Sequence, residues 1–389
     1  MNTPKHPILS TQARRNSAAP ILMSRKTCLA AALLMGSAPW AVAQDAPSVQ
    51  LFGNVAVSAL NLSHQANGTG TRMVSGPWTA ASYGLRGSEA LGGGLTASFR
   101  LESSLDLPTG GAGRTVLGSA KHFDKAAWVG LGNQQVNLTA GRQLHAGIDR
   151  IAETLDVFHA NADGKLLLSI LALNATNTFG GFDTRVDDAV KLRAQLPGGV
   201  KLGVSHAFAS AGRVGRSQSA DLGLQTPAYG LGAYVLRYNS DGTQLQQNTW
   251  GLGGNVLVGK ARLYAHYMDA THDKSAGGAT EQTNQVWGLG VAMPITPALS
   301  MKAAYYRDSA SSVGGTAGRE GKRNTVALMG DYAFSKRTSL NFGVFRNSLS
   351  GALAADPTSL AVLGLIDPAT RSVSGSATTG VAVGLNHRF

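Results

Sequence analysis

The chain has 389 residues, 34 Lys and Arg against 22 Asp and Glu, a formal charge of +12, and a single cysteine, Cys28. One cysteine excludes a disulfide framework and any multi-cysteine metal site. No apolar run of about 18 residues follows position 43, which excludes membrane-spanning helices, but a mean hydropathy of −0.02 leaves room for a closed barrel, where only alternate residues need be apolar.

In chain order, residues 1–22 lack export-signal character and read as a mis-assigned upstream extension, with Met23 as the true start. Met23-Ser-Arg-Lys26 is a basic start, Cys28–Met35 an apolar run, and Ala41-Val-Ala43 a small-x-small cleavage site. Residues 23–43 therefore read as a secretory signal peptide. Cys28 follows Arg25-Lys26-Thr27 directly, without the preceding apolar run of a lipoprotein signal. Five bases and no acid leave with residues 1–43, so 44–389 carries +7. An exported chain rarely meets nucleic acid; its basicity reads as a positive field along a pore, with diffuse basicity as the plain alternative.

From there the sequence runs in segments of roughly ten alternating residues. In 79–89 the apolar Ala81, Tyr83 and Leu85 alternate with Ser82, Arg86 and Ser88; in 94–105 Leu95, Ala97, Phe99 and Leu101 alternate with Thr96, Ser98, Arg100 and Glu102. Period two with opposite chemistry on its two faces suits a strand between lipid and water. The pattern predicts strands near 49–61, 78–89, 94–105, 122–132, 135–143, 186–196, 199–209, 217–226, 228–239, 246–257, 259–269, 283–293, 298–308, 322–333, 337–347 and 373–389. That is sixteen, an even number that returns both ends to the periplasmic side. Tight turns such as Ala90–Gly94, Pro197–Gly199 and Pro294–Pro297 alternate with long polar stretches (62–77, 106–121, 271–282, 309–322, 348–372), the asymmetry of an outer-membrane barrel. The third loop, about 144–184, carries Ile151, Leu155, Phe158, Leu166–Leu168, Ile170 and Leu171, apolar groups that a loop folded into the lumen would need. Trp78, Trp128, Tyr238 and Tyr267 are candidates for interfacial belts, and Gly53, Ala56, Ala59, Ala81 and Ala97 for a small-residue packing face.

Five motifs in order resemble the general porin family of Gram-negative outer membranes, trimeric and 16-stranded, in its anion-preferring branch. They are Ser48–Gly53, Tyr83-Gly-Leu-Arg-Gly-Ser-Glu-Ala-Leu-Gly-Gly-Gly-Leu95 with Phe99-Arg-Leu-Glu-Ser103, Phe123–Leu131, Gly141-Arg-Gln143 and Val383–Phe389. The resemblance implies an all-β transmembrane antiparallel barrel of sixteen strands with the third loop folded inward. It also implies a homotrimer in the outer membrane, in contact with lipid and lipopolysaccharide, and assembled by the barrel-assembly machinery, with Phe389 as part of the assembly signal. A basic wall would face acids of the third loop across a constriction. The positions matching the family's basic sites are Arg86, Lys125 and Arg142. Alternation adds Arg100, Lys191 and Arg193 as lumen-facing, and Glu153 and Asp156 are the third-loop acids. Ser82 stands where the family commonly has Arg, and Lys125 where Arg is usual, which weakens anion preference.

The expected function is a water-filled channel for passive diffusion of small hydrophilic solutes and ions, with mild anion preference, no cofactor and no metal. An outer-membrane barrel enzyme or adhesin is the alternative; a hydrolase would need a His beside a Ser or Asp, and His145, His159, His206 and His266 are scattered singly. A soluble exported all-β binding protein is the third reading, and would turn its apolar face inward.

Overall fold

In a computed structural model the described residues are 48–389 without 67, 69, 77, 79, 113–120, 160–183, 209–213, 241–244, 274–279 and 368. The predicted extension and signal peptide, and Leu166–Leu168, Ile170 and Leu171 of the third loop, lie outside them.

Among the described residues eighteen strands form one sheet. The first nine are β1 (Ser48–Leu62), β2 (Gly70–Val74), β3 (Ser82–Gly92), β4 (Leu95–Asp106), β5 (Gly111–Ala112), β6 (Ala126–Gly132), β7 (Val136–Leu144), β8 (Arg185–Gln195) and β9 (Val200–Ala207). The others are β10 (Val214–Gln225), β11 (Tyr229–Ser240), β12 (Gln246–Val258), β13 (Ala261–His272), β14 (Gln282–Pro294), β15 (Leu299–Ser311), β16 (Gly321–Ala333), β17 (Thr338–Gly351) and β18 (Ala377–Arg388). Sixteen are barrel staves, matching the sixteen predicted segments. The short β2 and β5 fall in stretches read from sequence as loops; β2 folds back on the upper half of β1, from Ser58↔Val74 to Leu62↔Gly70.

All pairings are antiparallel, and β1 closes on β18 from Asn54↔Arg388 to Leu62↔Gly380. Closure is what lipid demands, because a sheet edge there would leave peptide groups without partners. At the seam Phe389 exchanges backbone hydrogen bonds with Gly53, at 3.2 Å each way. Its ring lies where a Gly53 side chain would be, 2.3 Å from an ideal Cβ.

The alternation is inverted relative to a water-soluble sandwich. Leu222, Leu231, Val235, Leu252, Leu289, Val326 and Val381 are exposed on the outside, while Ser217, Ser219, Asp221, Asn284, Asp308 and Asn347 are buried on the inside. Apolar residues on the outer face need lipid, which overturns the soluble all-β reading. Outward Trp250, Tyr267 and Trp287 stack in series at 5.3 and 4.7 Å, with Trp287 58% exposed. Tyr332 and Phe334 pair near the opposite, short-turn end at 5.5 Å. These are the belts. Of the four candidates only Tyr267 belongs to one. Trp78 and Tyr238 are each 3% exposed, and Trp128 shares the inward parity of Ala126, opposite the exposed Val129 and Leu131. Nor do the small residues share a face: Ala56 is buried on the inner side with Ser58 and Leu60, while Gly53 and Ala59 have the opposite parity.

The third loop leaves β7 as a helical turn, α1 (Ala146–Arg150), continued by a wider turn through Leu155. Its described part runs along the inner face of the barrel. The Gly147 N–H donates to Ser219 Oγ of β10 at 2.9 Å, and Asn255 of β12 donates to the Thr154 carbonyl at 2.8 Å. Val157 sits against Gly290 of β14, where a Cβ would fall 2.7 Å from its Cγ1. The Tyr306 hydroxyl of β15 donates to Asp156 at 2.5 Å. Phe158 then reaches Trp78, which meets Phe345 of β17 edge-on at 5.9 Å. Ile151, Leu155 and Phe158, the loop hydrophobics predicted to need cover, are all buried by this path.

Candidate pore constriction

Three charged groups emerge. On the wall formed by β1, β3 and β4, strand register places Gln50, Arg86 and Arg100 in one inward row, because Gln50 pairs with Arg86 and Arg86 with Arg100. The next row brings Phe52 beside Gly84 and Glu102. Arg86 donates Nε–H and Nη2–H to Gln50 Oε1 at 2.9 and 2.7 Å. Arg100 does the same to Glu102 Oε2 at 3.0 and 2.6 Å. Both guanidinium carbons lie over the Phe52 ring, 5.2 and 4.8 Å from its centre, a favourable cation–π placement. Lys125 reaches Glu102 Oε1 at 3.0 Å. Of the three cations, Arg100 and Lys125 thus share one carboxylate, while Arg86 is exposed with no ion pair among the described residues. Ser82 is buried one row above Gly84, paired with Ser104, which holds Asp124 through its hydroxyl at 2.8 Å.

Arg142 is placed differently from the other bases. It shares the parity of the exposed Val136 and Leu138, and its register partner is Ala127 in the outward row of Val129. The register with β8 shifts between Gly141 and Gln143, and Gly141 has φ +125°, with Ala127 O only 2.2 Å from an ideal Cβ, so no side chain fits there. In this bulge Arg142 is 8% exposed, donates to the Asp124 carbonyl at 2.7 Å and pairs with Asp187 at 2.8 Å; Lys121 also pairs with Asp187. Arg142 is thereby separated from the Arg86–Arg100 row.

The third group lies where the loop meets β8 to β10. Lys191 binds Asp149 at 2.7 Å, and Arg193 fans out to Asp149, Asp221 and Glu153 at 3.4, 3.3 and 3.2 Å. Lys201 approaches Glu153 at 3.4 Å. Beneath them Arg150 pairs with Asp221 at 2.7 Å, both with side chains 0% exposed. Four cations meet three carboxylates. Glu153 is therefore paired with the nearest wall, and Asp156, bound by Tyr306, is buried away from water; neither stands as an open acid facing Arg86. Parity alone could have found Lys201 and Glu102. Asp149, Arg150 and Asp221 were missed because their pairings depend on how the loop folds.

Among the described residues His145 is the one histidine flanked by serines, with Nδ1 2.8 Å from Ser205 Oγ and Nε2 2.9 Å from Ser217 Oγ. It is fully buried at the loop root. Burial, followed by the charge of Lys191, holds its pKa down to about 3, too weak a base to activate a serine near neutral pH. Among the described residues no His, Cys, Asp or Glu group is arranged to hold a metal.

The family profile described as Gram-negative porin matches residues 30–352. The chain is 24% identical over 378 residues to outer membrane porin protein 32 of Delftia acidovorans, covering 94% of this chain and 100% of that one. It is also 24% identical over 424 residues to an outer membrane porin protein of Bordetella pertussis, with the same coverage. Among solved structures, an anion-selective porin from Comamonas acidovorans superposes with a TM-score of 0.72 at 20% identity, over 88% of this chain and 100% of that one. Outer-membrane expressed OmpT of Vibrio cholerae gives 0.62 at 12%, over 90% and 99%. With sixteen staves closed around a polar interior, apolar residues turned to lipid and a profile match over most of its length, the chain belongs to the Gram-negative porins, channel proteins of the outer membrane.

Proposed function

We propose that this porin is a mildly anion-preferring diffusion channel, synthesised with a cleaved signal peptide (23–43), active as a homotrimer and without enzymatic activity. The observation that carries the ion preference is the excess of cations in both inward charged groups, above all Arg86, which has no carboxylate partner among the described residues. A lining positive in sum raises the local anion concentration. The preference is mild because most bases (Arg100, Lys125, Lys191, Arg193) are already paired with carboxylates. The anion-selective relative with the same fold supports the sign. The absence of enzymatic activity is supported by His145, whose serine neighbours lie sealed under the loop. Contact with lipopolysaccharide is supported by the outward, exposed Arg237, Arg307 and Arg346. Arg307 pairs in register with Trp287 of the belt, and Arg237 lies two residues above Val235, the partner of Trp250.

The test is the current carried by refolded 44–389 in a planar bilayer under a KCl gradient. Stepwise conductance with a reversal potential on the anion side is expected. A cation-side potential would keep the channel and overturn the charge assignment.

A further inference from the structure

The row on β1, β3 and β4 is more organised than a general positive field requires. Each arginine is held by one edge: Gln50 takes Nε–H and Nη2–H of Arg86, and Glu102 takes the same pair on Arg100. Both guanidinium groups are thus oriented before any solute arrives, and each retains further N–H groups, of which those of Arg86 meet no carboxylate among the described residues. Preorganised donors bind an oxyanion without the ordering penalty of a free side chain. Aromatic surface brackets the pair. Phe52 lies under both cations, and Trp128, on the inward parity of β6 and only partly buried, is the register partner of Arg100. Bare charge attraction would need neither ring.

We propose that Arg86, Arg100, Phe52 and Trp128 form a docking site on the channel wall for small aromatic carboxylates. The carboxylate takes the uncommitted N–H groups of Arg86 and Arg100, and the flat ring meets the aromatic and guanidinium surfaces beside them. Such a site would give the channel a preference among anions of equal charge. The inference rests on the channel reading above and deepens it by naming a solute class.

Benzoate and acetate share one charge and one carboxylate and differ in the ring. The experiment measures how each, added to one side of the trimer in a planar bilayer, lowers the chloride current, normalised to the chloride conductance of the same channel. Benzoate is expected to half-block at a concentration about threefold lower than acetate, the size of one cation–π or stacking contact. Sulfate serves as an anion of higher charge without a ring and should block no better than its charge dictates. Arg86→Ala and Phe52→Leu should each bring the two half-blocking concentrations together, and Arg86→Lys should do so in part, since it keeps charge without a planar face. Equal block by benzoate and acetate in the unmutated channel would overturn the site, as would discrimination that survives Arg86→Ala. Failure of the unmutated protein to give KCl steps would overturn the channel reading itself, a result distinct from a conducting pore without discrimination.

Discussion

The inner wall of this barrel has two characters. Along β9 to β17 the described start of the third loop covers it, and the groups between are dry and paired: Arg150 with Asp221, Asp156 with Tyr306, His145 with two serines. Along β1, β3 and β4 the described part of the loop does not reach, and Arg86 faces the lumen with only an amide as partner among the described residues. The same residue type therefore stands in two settings. Buried Arg150 fixes a loop; exposed Arg86 is the residue proposed above to act on what passes. The difference shows that charge count alone does not assign a porin's selectivity filter, because a cation already neutralised under a loop contributes little field to the lumen.

The largest effect that would break this contrast is on the covered wall. Asp221→Ala leaves the Arg150 guanidinium buried with only Glu153, 3.6 Å away, as an acid partner and is expected to destabilise the barrel by about 3 kcal/mol, the low end of the range for breaking a buried pair by removing one partner. A lowered urea midpoint in refolding from detergent would report it; an unchanged midpoint would mean that the loop root is wetter than described. Next comes pH. The His145 pKa falls from 6.5 to about 3 on burial, so the unfolded chain takes up the proton first as pH drops. The stabilisation is complete above pH 6.5 and is lost progressively as pH falls from 6.5 towards 3. Between pH 7 and pH 5 the loss is roughly 2 kcal/mol, and His145→Asn should flatten that part of the profile relative to the unmutated protein.

A comparable or smaller effect belongs to the seam. Gly53→Val drives a side chain into the ring of Phe389 and should cost about 1–3 kcal/mol, as overpacking does. Heat-modifiability on gels would follow it, with the midpoint moving down. The smallest in energy is the sharpest for function. Arg86→Ala is expected to move the reversal potential in a KCl gradient toward the cation side, whereas Arg142→Ala, on the outward parity and paired with Asp187, should move it less. Equal shifts would put Arg142 back on the lumen wall.

Much of this was legible in the residues, and the limit has a physical cause. A strand writes its two faces into alternate positions, so the sixteen staves and the inward direction of Arg86, Arg100, Lys191 and Arg193 followed from period two. Tyr238 was misplaced although the same rule covers it: with Leu231 and Val235 outward, an even position on that strand points in. Arg142 escaped because a bulge opposite it, where Asp187 and Asp188 of β8 face one residue of β7, breaks the local register, and matching a motif says nothing about parity. The loop could not be read at all in this way. Asp156 finds its partner 150 positions away at Tyr306, and no local period encodes that meeting.

The seam carries a consequence in time. β1 is among the first staves to be synthesised and β18 is the last, yet they must join, from Asn54↔Arg388 to Leu62↔Gly380. Until β18 exists, that edge of β1 has a row of peptide N–H and C=O groups with nothing to bond, and hydrocarbon offers no substitute. Stave-by-stave entry into the bilayer as the chain emerges is thereby ruled out. The whole polypeptide has to wait, held open in water or against another protein's edge, and commit to the membrane only when its two ends meet.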